Sequence, residues 1–339
     1  MDKKLVKFVV VGCGHIGKRH IAMIQANPEA ELVAVVDIKP KEALGIDSYT
    51  IPFFNSVEDL LVAQLDFEVA NIAVPNGLHA SIAAKFIDQN KHVVVEKPMT
   101  LSSKDAAMLI QKAEEKKVLL FVVMQNRYSP PSKWLKALVD SGQLGKIYFV
   151  QMNCFWNRDE RYYDGKGWHG KKDLDGGVLF TQFSHFIDIL YWIFGDINNI
   201  KSSMKNINHQ NLTEFDDSGV VSFELENGAI GNLNFSTSVW GQNLESSMTI
   251  IAENGSVKIG GQYMDQVEYC HIKDYELPKM EVTPPGNDYG NYKGSAANHH
   301  FVIENVVDVI LRNQAIATNG TEGEVVVSII ERMMDKNNN

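Results

Sequence analysis

A glycine turn directly after a largely apolar run is the feature that most constrains how this chain folds. Residues 6–11 are mostly apolar and β-branched, and Gly12-Cys13-Gly14-His15-Ile16-Gly17 follows them in the pattern G-x-G-x-x-G. A helical pattern begins inside this glycine turn and covers residues 16–26. In that order, Gly12 permits the tight turn, Gly14 lets the main chain approach a pyrophosphate, and Gly17 lets helix and strand pack closely. The turn therefore predicts a dinucleotide site at the helix N-terminus, which attracts negative charge.

An acidic residue follows where such a site requires one. Asp37 ends the second predicted strand, 20 residues after Gly17. A carboxylate there accepts hydrogen bonds from ribose hydroxyls and repels a 2′-phosphate, which favours NAD over NADP, although Lys39 nearby weakens that preference slightly. The alternative is a glycine turn that serves packing alone. We expect NAD as the cofactor, with contacts from Gly12, Gly14, His15, Ile16, Gly17 and Asp37.

The first half of the chain alternates between two periodicities. Continuous apolar runs, typical of strands buried on both faces of a parallel sheet, lie at residues 6–11, 32–36, 69–74, 92–95 and 118–123. Helical patterns separate most of them, at residues 16–26, 57–64, 78–90 and 102–117. This alternation predicts βαβ units and a doubly wound α/β domain, which we bound at residues 1–125.

The pattern changes after Gln125. The predicted elements are a helix at 132–141, a strand at 146–155, an apolar helix at 177–194, strands between 197 and 271, and helices at 297–312 and 322–336. Glu226-Asn227-Gly228 and Glu253-Asn254-Gly255 are hairpin signals among the strands. Residues 156–177 are polar, aromatic and hardly periodic, which predicts a functional loop. Residues 126–339 are thus predicted to form an α+β domain on an open, mainly antiparallel sheet.

Charge and cysteine content exclude several functional classes. The 339 residues carry a net charge of −10 and contain no run of Lys or Arg, which argues against binding to nucleic acid. The first apolar run is too short for a signal peptide or a membrane span, so we expect no membrane association. The three cysteines, Cys13, Cys154 and Cys270, are odd in number and lack metal-ligand spacing. We therefore expect a cytoplasmic protein without a metal site.

Polar motifs follow two of the predicted strands at their carboxyl ends. Pro75-Asn76, with His79 three residues later, follows the strand that ends at Val74, and Glu96-Lys97-Pro98 follows the one that ends at Val95. Open α/β sheets bind ligands outside the carboxyl ends of their strands. A charged Glu-Lys pair there is not needed for folding, although a surface ion pair is the simpler alternative.

Together with the glycine turn, these motifs resemble the glucose–fructose oxidoreductase/inositol dehydrogenase (Gfo/Idh/MocA) family over nearly the whole chain. The resemblance implies an N-terminal Rossmann domain and hydride transfer at a hydroxyl of a sugar or cyclitol. It implies that the sheet of the second domain joins subunits into a homodimer or homotetramer. It also implies cofactor contacts from Pro75, Asn76, His79, Glu96, Lys97 and Asn126.

One family motif is altered in this chain. The family usually carries Asp-x-x-x-His after a Gly-Gly pair, whereas here Gly176-Gly177 leads to Thr181 and His185. Thr181 thus stands where the acid normally is, so no carboxylate can act as acid or base at that position. Asp188 follows His185 and is expected to orient it or to cap nearby backbone.

Three further segments resemble the branch of UDP-N-acetylglucosaminuronate 3-dehydrogenases. They are Gln125-Asn126-Arg127-Tyr128, the loop from Trp156-Asn157-Arg158 through Tyr162-Tyr163 to Trp168, and Ala297-Asn298-His299. Gln182 agrees with the Asn-Gln pair common in that branch, Thr181 agrees only in part, and the stretch after Trp168 departs from the branch pattern. The resemblance implies substrate contacts from Arg127, Arg158, Tyr163, Trp168, Thr181, Gln182 and His185. The alternative interpretation of the loop is a charge-balanced face in contact with solvent.

Lys97 and His185 are the candidates for proton transfer. Oxidation of a secondary alcohol requires a group that takes the hydroxyl proton as the hydride leaves. A lysine base needs its pKa lowered from about 10.4, whereas a histidine starts near about 6.5. By resemblance, Lys97 touches the substrate hydroxyl and the cofactor ribose, and His185 lies across the substrate. A satisfied core histidine is the alternative for His185, and the division of proton transfer between the two stays open.

We therefore expect an NAD-dependent oxidoreductase that oxidises a secondary hydroxyl, best the 3-hydroxyl of a UDP-linked N-acetylhexosaminuronate. The alternatives are a cyclitol or free-sugar dehydrogenase, a glycosidase that oxidises its substrate transiently with NAD, and a non-catalytic dinucleotide-binding sensor.

Overall fold

The chain divides into two units, which are described separately. The computed structural model describes residues 4–163, 165, 167–290 and 292–335. One unit runs to Met124 and includes His299–Val327, and the second comprises Gln125–Asn298 and the residues from Ser328 onward. The second domain was predicted to comprise residues 126–339. In the structure, the segment from His299 to Val327 belongs to the first unit instead.

The first unit is built on six parallel strands with helices between them. Its strands are β1 (Val6–Val11), β2 (Ala30–Val36), β3 (Phe53–Phe54), β4 (Val69–Ile72), β5 (His92–Val95) and β6 (Leu120–Val122). Its helices are α1 (His15–Ala26), α2 (Lys41–Leu44), α3 (Val57–Val62), α4 (His79–Asp88) and α5 (Ser103–Lys116). The strand order β3-β2-β1-β4-β5-β6 confirms the predicted doubly wound sheet. Only β3 and α2 are absent from the prediction, because two and four residues are too short to show a period.

The second unit is built on seven strands. They are β7 (Ile147–Phe155), β8 (Ile197–Lys205), β9 (Ser218–Leu225), β10 (Ile230–Ser236), β11 (Glu245–Ala252), β12 (Gly255–Gly260) and β13 (Gln266–Ile272). Their order is β13-β12-β11-β7-β10-β9-β8, and the pairing is antiparallel except between β7 and β10. Its helices are α6 (Pro130–Asp140), α7 (Lys172–Asp175), α8 (Val178–Thr181) and α9 (Ser184–Phe194). The open, mainly antiparallel sheet was predicted correctly.

One predicted helix is broken in two. The apolar stretch 177–194 forms α8 and α9, with Gln182 and Phe183 between them. Phe183 is fully buried and its ring contacts those of Trp156 and Phe235. Periodicity could not reveal the break, because the segment is apolar on every side. Among the described residues no single helix is both long and apolar enough to cross a membrane, and one bent pair, Lys172–Thr181 with Ser184–Phe194, passes on length and composition alone.

The two C-terminal helices are α10 (His299–Arg312) and α11 (Gly320–Met334). Helix α10 packs against α1 and β1. The residues just before α11 extend the edge of the first sheet, because the N–H of Val122 donates to the carbonyl of Thr318. A helix that is remote in sequence can thus complete the core of the first unit, and composition gives no sign of it.

Two glycines of the turn have no room for a side chain, and a third does. Gly12 has a φ of +89°, and a Cβ on it would lie 2.4 Å from the carbonyl oxygen of Ala73. A Cβ on Gly17 would lie 1.7 Å from the carbonyl oxygen of Gly12, so the first turn of α1 rests directly on the end of β1. A Cβ on Gly14 would meet no atom within 4 Å. Gly12 and Gly17 are therefore required by the fold, whereas Gly14 faces open space before the helix N-terminus.

This difference separates folding from binding at the turn. We expect Gly17→Ala to destabilise the protein by about 1–3 kcal/mol, because helix and strand must move apart. Gly14→Ala should change stability by less than about 0.5 kcal/mol but weaken binding of NADH, since its methyl group enters the space for the pyrophosphate. Thermal unfolding and NADH fluorescence titration measure both effects. Equal stability losses in the two variants, or unchanged NADH affinity in Gly14→Ala, would contradict this account.

Candidate active site

The adenosine side of the candidate cofactor site is held by Asp37. Its Oδ2 accepts the N–H of Cys13 at 2.7 Å and its Oδ1 accepts the N–H of Lys39 at 2.9 Å. The half-buried carboxylate therefore braces the glycine turn and stands at the end of β2, as predicted. His15 and Ile16 form the start of α1, directly after Gly14. A helix N-terminus, open space at Gly14 and a fixed carboxylate fit the pyrophosphate and adenosine ribose of NAD.

His79 links the carboxyl ends of two strands. It is buried at the start of α4, after the short helical turn Asn76–Leu78 that follows Pro75. Its Nδ1 lies 2.7 Å from the carbonyl oxygen of Pro98, and its Nε2 lies 2.9 Å from that of Val74. Burial lowers the pKa of His79, so the ring is neutral and donates to one carbonyl at a time. This geometry makes His79 a support for the Glu96-Lys97-Pro98 segment.

Glu96 is buried beneath Lys97. Its Oε2 accepts the main-chain N–H of Lys97 at 3.1 Å, and its Oε1 lies 2.8 Å from Nε2 of His20. The peptide bond between Lys97 and Pro98 is cis. Burial by itself raises the pKa of Glu96, but the hydrogen bond from His20 and the nearby ring of His299 outweigh it and hold the pKa well below its usual range. Glu96 is therefore a buried group rather than the surface group of the alternative interpretation.

In the second unit, His185 lies on α9 beside a buried ion pair. Nε2 of Gln125 is 3.4 Å from Nε2 of His185. One turn further along, Asp188 accepts hydrogen bonds from Arg127 at Nε (2.9 Å) and Nη2 (2.6 Å), and both side chains are buried. A forked pair of this kind fixes the orientation of both groups. Its place under α9 favours a structural role for Arg127 rather than the substrate contact expected from the resemblance.

Asn126 is also held within the second unit. Its Oδ1 accepts the hydroxyl of Ser295 at 2.6 Å, and the side chain is buried. Asn298 follows shortly after Ser295 and donates to the carbonyl of Gln125 and to the hydroxyl of Ser129, at 3.3 and 3.0 Å. The segments around Asn126 and Asn298, which the sequence singled out separately, therefore lie side by side.

Thr181 contacts a carboxylate that the sequence analysis did not single out. Its hydroxyl donates to the carbonyl oxygen of Asp175 at 2.8 Å and also to the Asp175 carboxylate. The other carboxylate oxygen of Asp175 accepts the N–H of Gly170 at 2.8 Å, and the side chain is fully buried. Next to Thr181, Gln182 donates to the hydroxyl of Tyr162 at 3.0 Å. A buried carboxylate thus lies against the Thr181 hydroxyl, and its sequence signal is its place directly before Gly176-Gly177.

Arg158 is a buried cation in an aromatic cage. It is 3% exposed, and its guanidinium carbon lies 4.7, 5.0 and 5.1 Å from the ring centres of Trp156, Tyr162 and Tyr292. Its Nη atoms donate to the carbonyls of Asn157 and Lys293 and to Oδ1 of Asn243. Within the described part of the chain no carboxylate pairs with it, and its Nε has no partner. Burial lowers the pKa of Arg158, which shows the cost of a charge left without an anion.

Arg158 borders a cavity of 510 Å³ in the second unit. The cavity is lined by Asn157, Arg158, Asp159, Glu160, Arg161, Asn208, His209, Thr237, Ser238, Val239, Trp240 and Gly241. Arg161 is already paired with Asp159, at 2.6 Å. Trp240 is 94% exposed and offers a bare aromatic face. The cavity therefore combines a buried cation with a flat apolar surface at its rim.

The two other aromatic residues predicted to contact substrate differ in burial. Tyr163 is buried, with its ring against Tyr162 and His209, and burial raises its pKa. Trp168 is half-buried and stacks on His169 with 4.1 Å between ring centres. Tyr163 thus supports the cage around Arg158, whereas Trp168 retains an exposed part for contact with a ligand.

Comparisons with known proteins agree with these observations. Residues 6–124 match the family model for the Gfo/Idh/MocA oxidoreductases with an NAD-binding Rossmann fold, and residues 133–258 match the model for the C-terminal domain of the same family. Both units are therefore covered by models of one family.

Two solved structures and one curated relative illustrate the likeness. The WlbA dehydrogenase of Bordetella pertussis, solved with NADH and UDP-GlcNAcA, is 30% identical, with 98% of both chains covered and a TM-score of 0.83. WlbA of Chromobacterium violaceum, solved with the same two ligands, is 29% identical, with 98% of this chain and 94% of that one covered and a TM-score of 0.85. The NAD-dependent scyllo-inositol 2-dehydrogenase of Bacillus subtilis is 26% identical over 267 residues, which cover 75% of this chain and 74% of the relative.

The glycine turn, Asp37 and Glu96 lie within the matched residues 6–124, and most of the second sheet lies within the matched residues 133–258. The chain belongs to the Gfo/Idh/MocA family and is an NAD-dependent oxidoreductase of the kind that acts on sugars and polyols.

Proposed function

We propose that this protein oxidises the 3-hydroxyl of a UDP-linked N-acetylhexosaminuronate with NAD. The observation that carries the proposal is Arg158, a buried guanidinium without a carboxylate partner among the described residues, at the border of a 510 Å³ cavity. A carboxylate or diphosphate of the substrate would supply the missing anion, and arginine binds both in a forked geometry. The likeness to two dehydrogenases that were solved with NADH and UDP-GlcNAcA supports the same substrate class.

The other candidates explain Arg158 less well. A neutral cyclitol or free sugar would leave the buried cation without an anion. A glycosidase would need a leaving group, and a sensor would need neither Lys97 nor His185. The exposed face of Trp240 suits the base of a nucleotide, since aromatic faces stack on bases.

The proposed reaction consists of a hydride transfer and a proton transfer. NAD, when bound, accepts the hydride from the carbon that carries the hydroxyl. Lys97 takes the hydroxyl proton as the carbon–oxygen double bond forms, and His185 contributes a hydrogen bond to the sugar. The products are a 3-keto sugar, NADH and a proton, which balances the reaction. The contact between the Thr181 hydroxyl and Asp175 supports a role for Thr181 in binding a hydroxyl of the sugar.

The direct test is incubation of the protein with NAD and UDP-N-acetylglucosaminuronate. We expect a keto product by mass spectrometry and a reduction in kcat of about 10²–10⁴-fold in Lys97→Met, since a positioned acid–base group contributes that much. Lys91→Met is the control, because Lys91 stands at the other end of β5 and donates to the carbonyl of Phe67. Turnover of other sugars without any keto product from this one would exclude the proposed substrate, and full activity of Lys97→Met would exclude the role of Lys97.

A second test concerns the anion of the substrate. We expect Arg158→Met to raise KM for the nucleotide sugar about 10-fold or more, the effect of one lost charge-assisted hydrogen bond, with little change in NADH affinity. Arg161→Met should have a smaller effect, because Arg161 is already paired with Asp159. Arg158→Lys keeps the charge and serves as the folded variant if Arg158→Met unfolds. An unchanged KM in Arg158→Lys and Arg158→Met would show that Arg158 does not contact the anion.

We also propose that the sheet of the second unit joins copies of this chain. Ile230 on β10, Phe149 on β7 and Ile251 on β11 are direct neighbours across the three strands, and both isoleucines are exposed. These three side chains make a small apolar patch of the kind that marks interfaces, and Val220 is exposed on the same face farther along β9. We further propose that the protein works in a reducing, cytoplasmic setting, which accords with its three free thiols.

The oligomer is tested by sedimentation velocity. We expect a dimer or tetramer, and a shift toward monomer in the double variant Ile230→Lys/Ile251→Lys, because two buried charges oppose association. Val282→Lys is a matched control, since Val282 is fully exposed and outside any strand. A wild-type monomer, or a double variant that sediments like wild type, would contradict the proposed interface.

A further inference from the structure

A buried cluster in the first unit is not used by the proposed reaction. It consists of His20 on α1, Glu96 after β5 and His299 at the start of α10, which are 1%, 6% and 1% exposed. Nε2 of His20 lies 2.8 Å from Oε1 of Glu96, and Nε2 of His299 lies 3.5 Å from the same oxygen. His299 belongs to the motif Ala297-Asn298-His299, and His299 has no part in the proposed reaction.

Asn71 determines how His20 is protonated. Its Nδ2 donates to Nδ1 of His20 at 2.8 Å, so Nδ1 acts as the acceptor and the ring proton lies on Nε2. That proton points at Oε1 of Glu96, while Oε2 accepts the main-chain N–H of Lys97. Each carboxylate oxygen therefore has a donor, and the position of the Lys97 main chain depends on how Glu96 is held.

The cluster keeps a negative charge next to Lys97. Besides His20 and His299, the groups that face Glu96 are His79 from α4 and Lys97 itself, and Arg19 of α1 acts on His299. Burial lowers the pKa of His299, with Glu96 opposing the effect, so this ring approaches the carboxylate as a neutral dipole. The charge thus remains on Glu96, and an adjacent anion favours the protonated form of a lysine.

We propose that His20, Glu96 and His299 form a positioning network that holds the main chain of Lys97 in place for proton transfer. The inference rests on the proposed role of Lys97. The same three side chains offer two nitrogens and one oxygen within 4.8 Å of one another, a set that also suits a divalent transition metal. The hydrogen bond between His20 and Glu96 favours the network, because a metal at Nε2 would displace the proton that forms this bond.

Glu96→Gln tests the network through a readout that packing alone would not move. The amide cannot accept from His20 and from Lys97 at once, so we expect kcat to fall about 100-fold, as small misplacements of a reacting group do, while NADH affinity changes less than about 3-fold. His299→Asn should lower kcat by a smaller factor, because Glu96 keeps its contacts with His20 and with the main chain of Lys97. His300→Asn, one residue along α10, should leave kcat unchanged.

A second measurement needs no substrate. In ¹⁵N-histidine-labelled protein we expect the His20 signal of the Nε2–H form, identified by its loss in His20→Asn, and its perturbation in Glu96→Gln. The opposite ring form, or a wild-type kcat in Glu96→Gln, would overturn the network. So would a stoichiometric transition metal that must be removed by a chelator before the Nε2–H signal of His20 appears. If wild-type protein turns over no nucleotide sugar, the proposed substrate fails, and the ring form of His20 still decides whether the network exists.

Discussion

The contact between Gly17 and the carbonyl of Gly12 is the constraint on which the first unit depends. Helix α1 can rest on the end of β1 only because no side chain stands between them. That contact aims the first N–H groups of α1 at the open space beside Gly14, and it carries His20, one turn further along, to the carboxylate of Glu96. Helix α10 packs on the same helix and brings His299 to the same carboxylate. One close backbone approach thus orders both the cofactor turn and the support of Lys97.

The second unit contains two buried arginines whose charges have different partners. Arg127 is held in a forked ion pair with Asp188, so its charge is compensated within the fold. Arg158 is equally buried, but aromatic rings and main-chain carbonyls surround it in place of a carboxylate. Cation–π contacts and carbonyl dipoles offset only part of the cost of burying such a charge. The contrast is the physical basis for assigning anion recognition to Arg158 rather than to Arg127.

The replacement of the usual family acid by Thr181 does not remove a carboxylate from this part of the unit. Asp175 lies against the Thr181 hydroxyl and is held in turn by the N–H of Gly170. A threonine hydroxyl that donates to a carboxylate presents its oxygen as an acceptor, whereas a carboxylate in its place would present a charge. Position 181 therefore carries no charge of its own, and the nearby charge lies on the buried Asp175.

The sequence by itself determined the parallel sheet, the glycine turn, Asp37 and the motif around Lys97, because each depends on residues close in the chain and on periods that strands and helices impose. The antiparallel character of the second sheet also followed from its hairpin signals. Tertiary structure decided what depends on residues far apart. It placed α10 in the first unit and broke the apolar helix at Gln182 and Phe183. It also paired Arg127 with Asp188 and left Arg158 without a carboxylate among the described residues. The reason is that burial and the choice of partner for a charge are set by neighbours in space, which local composition and spacing do not contain.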